Sequence, residues 1–340
     1  MVLESEPMSG VEPLPEFADV EAAAKRIAPY AYETPLIENP ALNERLGARV
    51  FLKLESLQRT GSFKFRGAYN RIALISEAER KNGVVAFSSG NHAQGVAAAA
   101  RLFGIPATIV MPTDSPKAKL AGTRALGATI VFYDRVRDDR EALAARELEA
   151  HGGTLIRPFD DAGIVAGQGT IGLELAAQAK RLGCGVLDAV LVPCSGGGIV
   201  SGIALALSGV SPGTAAISVE PENFDGMRRS LADGERETAP GGALSIADAL
   251  MAPTPGRVPF ALAKKLMRPG LTVSDEELAC AVAYAATVLK LIIEPSGTAG
   301  LAALLAGKYD VHGMNVAVVL TGGNCDFETV ARCMSQCPAV

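Results

Sequence analysis

The run Ala189-Val190-Leu191-Val192-Pro193-Cys194-Ser195-Gly196-Gly197-Gly198-Ile199 reads as a short apolar strand, a glycine turn and the start of a helix that continues to Ala206. A strand joined to a helix in this way is half of a βαβ unit, from which parallel sheets covered by helices are built. The turn also gathers consecutive backbone N–H groups and a helix N-terminus at one point, a geometry that binds phosphate without a basic side chain. No Gly-Lys-Ser or Gly-Lys-Thr follows, so the run is not a nucleoside-triphosphate loop. A plain tight turn would serve the strand-to-helix connection, but it does not require three glycines in succession.

The same rhythm extends in both directions. Upstream, Arg49–Leu54, Val84–Ser88, Ala107–Met111, Thr129–Phe132 and Thr154–Ile156 read as strands, and Val20–Ala28, His92–Phe103, Pro116–Leu126, Asp138–Ala150 and Gly169–Leu182 as helices. Downstream come strand Ala215–Glu220, helix Asp275–Leu291 and strand Asn315–Leu320. The pattern predicts a two-lobed α/β protein in which each lobe is a mostly parallel twisted sheet with helices on both faces. Residues 82–159, with short strands, are expected to form a small substrate-loop domain. Residues 17–81 and 160–340 would then form the large domain, and residues 1–16 a disordered lead-in. The proline- and glycine-rich stretch Ala239–Pro259 is an irregular loop expected to shape the cleft, where such folds place their ligands.

The totals narrow the function. The chain has 340 residues, a net charge of -5 and no long basic block, which argues against nucleic acid and against an anionic membrane surface as partners. No apolar run reaches the length of a membrane span, and Met1–Glu16 lacks the layout of a secretion signal. The six cysteines lie apart, without a CxxC pair, and are expected to be reduced thiols of a cytoplasmic protein rather than zinc ligands.

Three further segments carry chemistry. Thr60-Gly61-Ser62-Phe63-Lys64-Phe65-Arg66-Gly67-Ala68 sets a lysine between two phenylalanines. A poorly hydrated amine has a lowered pKa and is more often a free nucleophile, as a Schiff-base lysine must be; a solvated lysine at a helix start is the alternative. Ser88-Ser89-Gly90-Asn91-His92-Ala93-Gln94 crowds hydroxyls, an amide and an imidazole at a helix N-terminus, either as a carboxylate trap or as a generous cap. Thr321-Gly322-Gly323-Asn324 follows a strand and offers a hydroxyl to a ring nitrogen, or is an ordinary turn. Gly167-Gln168-Gly169-Thr170-Ile171-Gly172 matches the dinucleotide fingerprint but follows no apolar strand, so close helix packing explains it better.

Taken together, SFKFRGA, SSGNHAQG, the SGGG loop, EPSGTAG and TGGN resemble, in this order, the fold-type II pyridoxal-phosphate enzymes, which share the fold of the tryptophan synthase β-subunit. Within them the chain looks like the serine/threonine dehydratase (ammonia-lyase) and serine racemase group, from about Phe17 onward. The resemblance implies pyridoxal 5'-phosphate bound to Lys64 as a Schiff base, with Phe63 packed on its ring. It implies Ser195, Gly196, Gly197, Gly198 and Ile199 around the phosphate, Thr321 facing the pyridine nitrogen and Asn91 bonding the phenolic oxygen. Ser88, Ser89, Asn91 and His92 would take the substrate carboxylate, with Ser89 also working on the ring face opposite Lys64. Related racemases bind Mg2+ or another divalent cation through an acid, a carbonyl four residues on and a second acid two beyond. Glu220 and Phe224 match that pattern, but Gly226 stands at the last position and Asp225 is one residue early.

The activity implied is loss of water from L-threonine or L-serine to give a 2-oxo acid and ammonia. The alternatives are dehydration of 3-hydroxyaspartate and serine racemisation; a non-catalytic amino-acid-binding protein is the rival from another class. For hydroxyaspartate, Arg135, Arg137 and Arg257 are candidate partners of the second carboxylate. A homodimer or higher homo-oligomer is implied, and the chain stops short of the regulatory lobe that some relatives carry.

Overall fold

The computed structural model describes residues 13–88, 90–115, 117–134 and 137–337, with Ala118 as backbone only. Among the described residues the strands are β1 (Leu36–Glu38), β2 (Arg49–Leu54), β3 (Val84–Phe87), β4 (Ala107–Pro112), β5 (Thr129–Tyr133), β6 (Thr154–Leu155), β7 (Ala189–Pro193), β8 (Ala215–Pro221), β9 (Leu271–Val273) and β10 (Asn315–Leu320). They sort into a six-stranded sheet of order β1-β2-β10-β7-β8-β9 and a four-stranded sheet of order β5-β4-β3-β6. Every pairing is parallel except β1 with β2, where Leu36 stands opposite Lys53.

Side chains alternate across a strand, and in both sheets the two alternating sets are apolar. Val50, Leu52, Val316 and Val318 pack into one cluster of the larger sheet, and Phe51, Ala317, Val319 and Val190 into another. In the smaller sheet Val84, Ala86 and Ile109 share one core, while Val85, Phe87 and Val110 share a second. Both sheets are therefore covered on two faces, as the unbroken apolar strands predict.

The helix expected from Gly169 starts earlier, at Ala162, and runs to Arg181. Asp161 starts it by accepting the Ile164 N–H at 2.9 Å. Its glycines are contact points. A Cβ on Gly167 would lie 2.7 Å from Gly67 Cα, and one on Gly169 would lie 2.8 Å from the Gly202 carbonyl oxygen. The fingerprint-like run is where helices Lys64–Ala73 and Gly198–Val210 cross Ala162–Arg181.

The helix from Asp275 ends at Tyr284 and passes into a π turn, Ala285–Leu289, closed by Lys290 in the left-handed region. The short strands β1 and β9 lie outside the sequence reading, being too brief for a period to show. No helix among the described residues is long and apolar enough to cross a membrane.

The cysteines correct one expectation. Cys280, on helix Asp275–Tyr284, and Cys337, just past helix Phe327–Gln336, form a disulfide, leaving Cys184, Cys194, Cys325 and Cys333 free. The two half-cystines are 57 positions apart. They meet because Ala279, Val282, Val330 and Cys333 pack the last helix onto its neighbour.

Candidate active site

A cavity of about 220 Å3 opens where the ends of β3, β7 and β10 converge, and Lys64, Ser88, Asn91, Ser195–Ile199 and Thr321 line it. This is the crevice beyond the carboxyl ends of parallel strands. It brings into one place all four segments that the sequence marked out separately.

Lys64 opens helix Lys64–Ala73. The turn before it passes through Thr60 at φ 64° and Gly61 at φ 71°. It is stitched to the end of β10, since Phe63 N–H donates to the Thr321 carbonyl at 3.1 Å. Lys64 Nζ donates to the Pro158 carbonyl at 2.8 Å and sits 5.1 Å from the Phe63 ring. Burial lowers its pKa to about 8, so much more of it is free amine at neutral pH than of an exposed lysine. Behind it the fully buried Arg66 forks onto both oxygens of Glu55 at 2.8 Å and reaches Glu174, which also receives Lys53. This network fixes the start of the lysine helix from below.

The glycine turn has no room for side chains. A Cβ on Gly196 would lie 2.3 Å from the Phe159 ring, and one on Gly197, whose φ is +93°, would lie 2.3 Å from Met227 Cε. Helix Gly198–Val210 begins here, and the N–H groups of its first turn have no partner within the helix. Ser195 Oγ accepts the Ala252 N–H at 3.1 Å, which ties the turn to the loop of residues 239–256. That loop lines the cavity through Asp248–Pro253, as expected, while its last residues belong to helix Arg257–Leu266.

At the helix Asn91–Phe103, Ser88 Oγ accepts the Gly90 N–H at 3.1 Å. A Cβ on Gly95 would lie 3.1 Å from the Lys64 backbone, so this helix rests directly against the lysine. His92 Nε2 lies 2.8 Å from the Ile156 carbonyl, which can only accept, so the proton is on Nε2. Burial, with help from the Lys64 cation, pushes its pKa down to about 3. His92 is therefore neutral, and its buried Nδ1 is a bare acceptor without a partner among the described residues. Ser89 lies outside the described residues.

Some site residues escaped the sequence. Lys119, in a helix to which the sequence reading assigned no role, is buried; its Nζ lies 2.7 Å from Asp248 and 3.6 Å from Glu294. Burial acts to lower Lys119, but the two carboxyls outweigh it and raise its pKa. Burial raises Glu294 to about 7, against the pull of Lys119. Arg140 also lines the cavity, its guanidinium 5.2 Å from the Phe87 ring. Of the arginines expected to meet a second carboxylate, Arg137 is exposed and faces Asp134, and Arg257 is exposed at its helix start; neither lines the cavity. Arg135 lies outside the described residues.

The donors proposed for a divalent cation do not fit one. Glu220 accepts the Met227 and Arg228 N–H groups at 2.9 and 2.8 Å, and burial raises its pKa to about 8. Asp225 is held by Arg228 and, at 2.8 Å, by Arg229, with the aromatic Phe224 buried beside it. Two guanidiniums already satisfy Asp225, the second carboxylate of the expected set. Among the described residues no cluster of three His, Cys, Asp or Glu side chains could hold a metal ion.

The residues do fit a phosphorylated aromatic aldehyde. The cavity joins a lysine amine of lowered pKa, a cradle of main-chain N–H groups that a Cβ would fill, and the flat face of Phe63.

Comparison with known proteins agrees with that chemistry. The family model for pyridoxal-phosphate dependent enzymes matches residues 27–322. An L-threo-3-hydroxyaspartate ammonia-lyase of a Pseudomonas species is 46% identical over 318 residues, covering 94% of this chain and 98% of its own length. A serine racemase of Schizosaccharomyces pombe is 39% identical, covering 95% of this chain and 98% of its own. Among solved structures, a threonine deaminase of T.th. superposes with a TM-score of 0.86 at 42% identity, over 92% of this chain and 99% of that one.

Proposed function

Because the chain belongs to the pyridoxal-phosphate dependent enzyme family, we propose that it removes water from a β-hydroxy amino acid, L-threonine or L-serine, to give a 2-oxo acid and ammonia. The observation that carries this reading is the meeting of the Lys64 amine and the Ser195–Ile199 turn in one cavity. Pyridoxal 5'-phosphate bound there supplies an electron sink for the pair left on the substrate's α-carbon.

The chain's own residues do the rest. Lys64 would hold the cofactor's aldehyde, and its free amine would take the substrate's α-proton at Nζ. The N–H groups of Gly196–Ile199 bind the phosphate, and Phe63 packs on the ring. Ser88 and the helix N-terminus beside it orient the substrate carboxylate, Asn91 faces the cofactor's phenolic oxygen, and His92 contributes shape and an acceptor but no donor. Thr321 gives the pyridine nitrogen a neutral hydroxyl, which does not force it protonated as a carboxylate would. Loss of the α-proton and β-hydroxyl removes one water; its return, with release of ammonia, completes the balance. Ser89, on the opposite face, is the group on which any racemisation would depend.

Arg140 favours 3-hydroxyaspartate as a second reading. It is a cation on the cavity wall, and no acidic partner for it stands among the described residues. The lobes take the boundaries 17–81 with 160–340 and 82–159, supported by the separation of the two sheets, and the enzyme works in the cytoplasm as a homodimer or higher homo-oligomer.

The test is a visible-absorption scan with an assay of 2-oxo acid release over a panel of β-hydroxy amino acids. The purified protein should absorb in the violet, and Lys64→Ala should lose that band together with turnover. A colourless wild type would point to the amino-acid-binding alternative and end this proposal. Arg140→Met should weaken hydroxyaspartate turnover at least tenfold relative to serine; equal loss on both would remove the second reading.

A further inference from the structure

We infer that Asn324 and Glu294 are positioning residues that lock the Asn91 amide in one orientation, its NH2 facing the cavity as a donor. An amide's oxygen and nitrogen are told apart by their partners, and here a chain of bonds decides each in turn. The Thr60 carbonyl can only accept, and the amide of Asn324 lies 2.7 Å from it, so that atom is Nδ2. The same Nδ2 lies 2.9 Å from Asn91, which must therefore present Oδ1 to it. Asn91 Nδ2 is then left to the Glu294 carboxyl, an acceptor. One of its two hydrogens goes to Glu294 and the other is free for the cavity.

The surroundings are shaped for this arrangement. A Cβ on Gly61 would lie 2.4 Å from Asn324 Oδ1, and one on Gly322 would lie 2.2 Å from Glu294 Oε1 and 3.2 Å from Asn91 Nδ2. Only glycines let the three polar side chains close up. Lys119, 3.6 Å from Glu294 Oε2, and Asp248 beyond it hold the far side of the carboxyl.

The consequence rests on the reading above, in which Asn91 faces the phenolic oxygen of the cofactor. A locked amide gives that oxygen a donor in every turnover. A turned amide would give it a carbonyl and repel its anionic form.

The test uses the cofactor-loaded protein and follows the pH titration of its violet band. Asn324→Asp, nearly isosteric but unable to donate, should turn the Asn91 amide and shift the spectral pKa by about one unit, tenfold in proton affinity. In Asn324→Asp with Glu294→Gln, the turned amide gains partners on both sides. Unfolding stability should then recover while the spectral shift persists. If Asn324 merely props the Thr60–Gly61 turn, the second change should restore neither the spectrum nor the stability. A wild-type titration in Asn324→Asp overturns the lock. Asn91→Ala separates the two ideas, because an unchanged titration there means that Asn91 does not face the phenolic oxygen at all.

Discussion

Lys64 shows most directly how this protein sets stability against chemistry. Protein surrounds its amine, with the Pro158 carbonyl as its only fixed partner among the described residues, and burial holds its pKa at about 8 instead of 10.5. Between those values the unfolded chain binds a proton that the folded one does not, so stability rises with pH across that window. Below pH 8 both states are protonated and the full penalty of a buried ammonium remains. Lys64→Met should therefore stabilise the cofactor-free protein at pH 7 by up to about 3 kcal/mol, and the advantage should shrink as pH climbs from 8 toward 10.5. Urea unfolding at several pH values checks this; an advantage that does not change with pH would mean that the lysine is not desolvated. His92 follows the same logic with a different outcome, since its burial makes it permanently neutral.

At the scale of elements, the crossing of helices Ala162–Arg181 and Gly198–Val210 sets the angle at which the Ser195–Ile199 turn is presented. A Cβ on Gly202 would lie 2.4 Å from the Val165 carbonyl oxygen and 2.8 Å from the Gly169 nitrogen, both backbone atoms that cannot swing aside. Alanine is favoured over glycine inside a helix by up to about 1 kcal/mol, but overpacking a close contact costs about 1–3 kcal/mol. Strain should win. Gly202→Ala is expected to lower the urea midpoint and to weaken cofactor retention on dialysis, because the same helix begins at Gly198. Gly213→Ala is the control, with its nearest neighbour at 3.8 Å, and should change stability by less than about 0.5 kcal/mol. Similar behaviour of the two variants would show that the crossing is not the constraint.

Across the whole molecule, distant parts of the chain are tied together twice. The Lys53–Glu174–Arg66–Glu55 network joins β2, the lysine helix and helix Ala162–Arg181 in the interior. The Cys280–Cys337 disulfide closes 57 residues at the C-terminal end, for which loop-closure entropy suggests about 4 kcal/mol. Thiol titration in denaturant should find the four free cysteines without reductant and all six with it, and Cys337→Ser should lower the melting temperature. Six thiols in the unreduced protein would remove the crosslink. The alternation of strands and helices, the parallel sheets and the four polar or glycine-rich turns were all written in the sequence, because propensity, period and turn chemistry act over a few neighbouring residues. β2 and β10 were legible to the residue for that reason, and Lys64, Asn91, Ser195 and Thr321 could be named from their motifs. The burial of Lys119, the placing of Arg140 on the cavity wall, the disulfide and the bond from Asn91 to Glu294, 203 positions away, were not legible. Those depend on which surfaces meet when two sheets and their helices pack, and a contact between distant segments leaves no period in the chain that makes it.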